Sequence, residues 1–306
     1  MTQIDSTAIT SAGIDVIRSY EDASTAIGRL DAAGRLAPAG LRELLVLRCI
    51  ATSLGTDRSG MIALVRPDGE GPASHRIYAD ALREGAARAR GGALPSVGYL
   101  HSLLRLPGTG LPVGPIDDLL RDVHERTPPV LKAALAAVAL RAAGPVDADH
   151  TNSTAADLLP PLVAALVLCV GGATTDAWLT LPPPPAGPEY SLGESFAVLA
   201  REARAAERGL DDAQQLCLAD ESRLRAVLGR AAFSALDVLA RLRDEIVITV
   251  PETARALGLT PPTAGAAVAR LVELGIAREI TGKARSRAFV YDGMVTALAP
   301  RTGNHQ

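Results

Sequence analysis

The sequence predicts a mainly α protein: a helical bundle followed by a small C-terminal module with the only β-structure. Three observations lead there. Alanine, leucine and arginine dominate a chain whose aromatic content is only 3%, so its core must be built from the small and aliphatic side chains that suit packed helices. Apolar residues recur at helical spacing along the chain, in stretches divided by prolines and glycines. Near the C-terminus, Ile246-Val247-Ile248-Thr249-Val250 is a β-branched run too short for a helix and closed by Pro251, which suits a small edge strand.

In chain order, a polar beginning leads to helical patterns at 27–36 and 41–53, separated by Pro38-Ala39-Gly40. Glycines, prolines and charges cluster over 55–74 and predict a flexible connection, broken only by 61–65. Helices resume at 76–87 and 96–106; after a loop at 108–115 they continue at 116–126 and 130–143, around Pro128-Pro129. Such short connections imply a compact bundle. The polar stretch 144–154 interrupts it before an apolar helix beginning near Ala155, and is the one part of the body with the look of a site. The proline run at 181–188 predicts a stiff spacer. Two further helices, 191–208 and 213–228, lead into the C-terminal module.

That module spans 235–291. Leu236, Leu239, Ala240 and Leu242 share one helical face. Pro251 can open the next helix, 252–257, because its missing amide hydrogen had no partner there, and Gly258 supplies the left-handed turn that ends it. Thr260 is placed to cap a second helix with Pro261 and Pro262 at its start. Across 263–274 the apolar side holds Ala264, Ala267, Val268, Leu271 and Leu274, while Thr263, Ala266 and Arg270 point elsewhere. Residues 276–280 and 288–291 can pair as strands around the basic loop 281–287. Helix, strand, helix, turn, helix, strand, loop, strand is the order of a winged helix-turn-helix with a β-wing. In such a module Thr260, Thr263, Ala264 and Arg270 lie on or beside the recognition helix, and Lys283, Arg285 and Arg287 can hold DNA phosphates. Nearly as many acids as bases lie here, which also suits a module that docks protein or closes a dimer.

Composition narrows the rest. At 306 residues the chain has room for roughly two domains. Its formal charge of -3 confines any nucleic-acid contact to a local patch. Cys49, Cys169 and Cys217 are widely spaced in apolar surroundings, so neither a disulfide framework nor a metal site is expected. No basic flank precedes an apolar stretch at the N-terminus, and the longest apolar run, 158–170, is too short for a membrane span. A cytoplasmic protein without membrane contact is expected.

The order of these segments resembles Fic-family proteins with an N-terminal helical extension and a C-terminal winged helix. Ala26-Ile27-Gly28-Arg29-Leu30-Asp31 is similar to their opening helix, and Tyr78-Ala79-Asp80-Ala81-Leu82 to the helix after the extension. Pro128-Pro129-Val130-Leu131-Lys132-Ala133-Ala134-Leu135 occupies the place of the helix before the catalytic motif. The closest stretch is Leu271-Val272-Glu273-Leu274-Gly275-Ile276-Ala277-Arg278-Glu279-Ile280-Thr281-Gly282. The resemblance implies an extension at 1–75, a Fic-like domain at 76–230, a winged helix at 231–298 and a disordered tail at 299–306.

In active members, His-Pro-Phe-x-Asp-Gly-Asn-Gly-Arg-x-x-Arg carries adenylyl transfer: the histidine is the general base, the acid holds magnesium, and the glycines and arginines cradle ATP phosphates. Here Gly144 stands where the base belongs, and only Pro145 and Asn152 correspond to the motif. Thr154 and Asp157 fall near the arginine positions, and neither neutralises a phosphate. His150 is the candidate for a displaced base, with Asp147 or Asp149 on a cation, but a lone histidine in a polar loop is more often merely solvated. The family's inhibitory Ser/Thr-x-x-x-Glu-Gly/Asn motif is similar to the segment from Ser53, with Asp57 in place of glutamate and Arg58 in place of the small residue. The resemblance thus implies a pseudoenzyme, with no cofactor unless the divergent loop still takes ATP and magnesium. The expected function is DNA-binding transcriptional regulation as a homodimer. Protein adenylyl transfer using His150, or a non-enzymatic dimeric adaptor with a protein partner, are the alternatives.

Overall fold

Helical spacing carries through to a mainly α structure. The computed structural model describes residues 6–67, 72–104, 117, 127–142, 158–182, 191–283 and 285–300. Two long helices, α1 (Ser6–Leu36) and α8 (Leu192–Leu228), pack along one another. Between them in sequence lie α2 (Ala39–Ser53), α3 (Arg58–Val65), α4 (Ala73–Arg90), α5 (Val97–Leu103), α6 (Pro129–Ala142) and α7 (Leu159–Val170). Helix α7 is buried from Leu159 to Cys169 and touches α2, α4, α5 and α6, which makes it the centre of the body. Pro160 and Pro161 fall in its first turn, where the lost amide donors had no partners. Among the described residues no helix is long and apolar enough to cross a membrane. The three cysteines are buried and free.

Several expected boundaries change. Helix α1 begins at Ser6, well before position 27, where the N-terminal sequence looks merely polar. Within the expected connection, Asp57 Oδ1 accepts from the Ser59 amide at 2.8 Å and starts α3. The segment 192–228 is one helix of 37 residues instead of two. Its start is a capping box: Ser191 Oγ accepts from the Glu194 amide at 3.2 Å and Glu194 Oε2 from the Ser191 amide at 2.7 Å. Gly209, at the expected break, serves close packing instead; a Cβ there would stand 2.8 Å from the carbonyl oxygen of Ala297.

The C-terminal region has the expected element order and ends in one unexpected helix. It comprises α9 (Phe233–Glu245), β1 (Val247–Thr249), α10 (Val250–Leu257), α11 (Pro261–Glu273), β2 (Ala277–Glu279), β3 (Ala288–Tyr291) and α12 (Asp292–Leu298). The strands form an antiparallel sheet in the order β1-β3-β2, with Ile248 opposite Phe289 and Arg278 opposite Val290. Ile246, between α9 and β1, has a φ of 66°. That conformation costs about 1–3 kcal/mol for a β-branched residue. It is held by a 2.8 Å bond from its amide to the Leu242 carbonyl, a 2.9 Å bond from the Tyr291 amide to its own carbonyl, and a buried side chain.

This region is seated on the body through α9, which meets α2 and α8, and through α12, which meets α2, α3 and α8. Arg48, buried in α2, donates to Glu202 at 2.9 Å and to the carbonyl of Leu298 at 3.0 Å. Asp292 pairs with Arg58 of the body and, at 2.8 Å, with Arg278 of β2. Tyr291 donates to buried Asp220 of α8 at 2.8 Å. At Gly40 the contact between α2 and α9 is so close that a Cβ would stand 2.0 Å from the Arg243 carbonyl oxygen.

Candidate nucleic-acid interface

Short-range capping sets the two helices of the expected helix-turn-helix. Thr249 caps α10 by accepting from the Glu252 amide at 3.4 Å, so the helix starts at Val250 and Pro251 is its second residue, not its first. Gly258 closes α10 with a φ of 63°, the left-handed geometry that glycine adopts without a Cβ clash. Thr260 caps α11: its Oγ1 accepts from the Thr263 amide at 3.4 Å and lies 2.8 Å from the Thr263 hydroxyl. Pro261 and Pro262 occupy the first turn, as the sequence predicts.

Helix α11 buries Ala264, Ala267, Val268 and Leu271 against its own module and leaves Pro262, Thr263, Ala266, Ala269, Arg270, Val272 and Glu273 exposed. Ala264 therefore leaves the expected interface, because it is fully buried. Arg270 is exposed as expected, but its guanidinium is bound to Glu273 at 2.6 Å. Two neighbours of Thr263 on the outer face, Ala266 and Ala269, had no place in the expected site. Their spacing from Thr263 was the available signal, and a methyl side chain carried no chemistry to reinforce it.

The wing is folded around Glu279. Its carboxylate accepts from the amides of Thr281 at 2.7 Å and Gly282 at 3.0 Å and from the Thr281 hydroxyl. Those bonds, the Thr281 hydroxyl first, hold the Glu279 carboxyl below its ordinary pKa. Thr281 Oγ1 accepts in turn from the Ala288 amide at 3.3 Å, which joins the two ends of the loop. Lys283, Arg285 and Arg287 are all exposed, and the Arg287 guanidinium lies over the Phe289 ring at 5.2 Å. A groove of about 450 Å³ runs between α11 and the wing, lined by Val250, Val268, Ala269 and Val272 on one side and by Arg287 and Phe289 on the other. Ala269 and Val272 on the exposed side of α11 and Arg287 of the wing thus border one concavity. Helix α11 packs on α9, α10 and β2, while the seating on the body runs through α9 and α12.

The other expected sites fare differently. Gly144, Pro145, Asp149, His150, Asn152, Thr154 and Asp157 lie outside the described residues. The helices on either side of them, α6 and α7, pack against each other. Ser53 donates to the Cys49 carbonyl at 2.9 Å, Asp57 caps α3, and Arg58 binds Asp292, so each of the three residues likened to an inhibitory motif has a structural partner. The Ser59 hydroxyl and then its amide hold the Asp57 carboxyl below its ordinary pKa. Among the described residues no three His, Cys, Asp or Glu side chains come together as a metal site. In comparisons with known proteins, the sequence matches no family model and no curated protein.

Proposed function

We propose that the C-terminal region is a winged helix-turn-helix that binds duplex DNA, on a helical body resembling Fic proteins that have lost their catalytic motif. The observation that carries this reading is the shared groove: the exposed side of α11 and the cation Arg287 flank one concavity, with Lys283 and Arg285 exposed on the same wing. A helix entering the major groove beside a basic loop that holds phosphates needs this juxtaposition. The protein acts as a homodimeric transcriptional regulator, two copies giving two half-sites. Glycine at 144, where a general base belongs, supports a non-enzymatic body. Replacing Lys283, Arg285 and Arg287 together with alanine is expected to weaken binding to every duplex. It should also reduce the slope of log affinity against log salt by about 2–3, from three lost phosphate contacts. Unchanged mobility of duplexes in a gel shift would remove the wing from the interface.

The apolar lining of the groove, Val250, Pro251, Val272 and Phe289, favours a second reading in which this face docks a protein and the chain is a dimeric adaptor. Dimerisation without measurable duplex affinity at low salt would select it.

A further inference from the structure

Resting on the DNA-binding reading above, we infer that α11 recognises pyrimidine C5-methyl groups in the major groove, which in ordinary duplexes are those of thymine. The argument starts from what the helix does not carry. Polar recognition of base edges uses Arg or Lys for guanine, Asn or Gln for adenine, and Asp or Glu for cytosine. None of these types occurs between Thr260 and Ala269, the part of the helix that enters a groove first. The first charged residue, Arg270, is closed on Glu273 at 2.6 Å. Thr260 and Thr263 have hydroxyls, but these lie 2.8 Å apart and Thr260 Oγ1 also accepts the Thr263 amide, so much of their hydrogen-bonding capacity is spent within the cap.

What remains on the outer face is apolar and shallow: the Pro262 ring and the methyl groups of Thr263, Ala266 and Ala269. On the major-groove edge of unmodified DNA, the one apolar group is the C5-methyl of thymine. Small side chains also let the helix backbone come close to the base edges, so that a methyl-to-methyl contact forms without a long side chain between. The rigid Pro261-Pro262 start and the Thr260 cap hold this face in one conformation before DNA arrives.

The test uses the full wild-type chain. Duplexes retained from a random pool at low salt are compared with the same duplexes carrying deoxyuridine for thymidine, which removes only the methyl. About fourfold weaker binding is expected for each contacted thymine, the value of one buried methyl. Exchanging a contacted T·A pair for 5-methylcytosine·G should bind more tightly than exchange for C·G, which assigns the effect to the methyl itself. A penalty for deoxyuridine that shrinks in Ala266→Gly would place Ala266 at the contact. Duplexes that bind with no sensitivity to deoxyuridine overturn this inference and leave DNA binding standing. Failure to retain any duplex at low salt removes the DNA-binding reading itself.

Discussion

The C-terminal region has two sides that are held in opposite ways. Its inner side meets the body through buried ionic and glycine contacts: Arg48 between Glu202 and the Leu298 carbonyl, Tyr291 on Asp220, and Gly40 under the Arg243 carbonyl. On its outer side, α11 is packed on α9, α10 and β2 within the same region, and the exposed polar contacts of α11 and the wing join partners close in sequence, such as Thr260 with Thr263, Arg270 with Glu273, and Glu279 with Thr281. Contacts with the body constrain a substitution on the inner side, whereas an exposed substitution on the outer side meets polar partners within a turn or two of chain. Stability and binding are therefore separable by position.

The strongest challenge to that separation is Arg48→Met. It strips Glu202 and the Leu298 carbonyl of their donor in a site where the arginine side chain is 6% exposed. Removing one partner of a buried ion pair costs about 3–5 kcal/mol. The lower end is expected here, because Glu202 is partly exposed and Arg201 Nε lies 3.6 Å away. Urea denaturation measures the loss; a midpoint unchanged from wild type would mean the inner side is not held as described. Gly40→Ala comes next, at about 1–3 kcal/mol for overpacking. The backbone oxygen of Arg243 cannot yield as a flexible side chain would, so α2 and α9 must separate. A calorimetric melt at the wild-type temperature would contradict that close approach.

Acid provides a smaller probe. Burial raises the Asp292 pKa, but hydrogen bonds and charge from Arg278 and Arg58 outweigh it, so the carboxyl sits below its ordinary value. A depressed folded-state pKa contributes stability that is present above the unfolded value, about 3.9, and is lost as pH falls through the lower folded value. With both arginines more than a third exposed, the contribution is below about 1 kcal/mol. Asp292→Asn should remove that part of the acid sensitivity, seen as a shallower fall in melting temperature below pH 4. Smallest is the effect of the triple wing substitution on stability, within about 0.5 kcal/mol, as is usual for exposed positions. On the proposed DNA-binding reading, the same variant is expected to have the largest effect on duplex affinity. A wing variant that unfolds early would mean that the outer side is structural after all.

The element order of the C-terminal region was legible because local chemistry sets it. Thr260, Pro261, Gly258 and the β-branched run at 246–250 each act within a turn or two of chain, and the strands pair as their patterns require. What escaped were features decided at a distance. Gly209 resembles a break until α12 is seen packed against it, and nothing in the sequence around Arg58 shows that it meets Asp292 near the other end of the chain. Ala264 illustrates a conflict within the sequence pattern itself. Its spacing assigned it to the buried face while its place early in the helix suggested contact with DNA, and burial prevailed.

The contact at Gly40 also bears on how such a chain is inherited and engineered. Small terminal regions are often treated as portable cassettes, cut at a linker and grafted onto new partners. Here the cut would pass through backbone packed on backbone, where even one added methyl group has no room. Any recipient would have to bring its own glycine, and a helix of the right pitch beneath it, so the C-terminal region and its body are expected to diverge together or not at all.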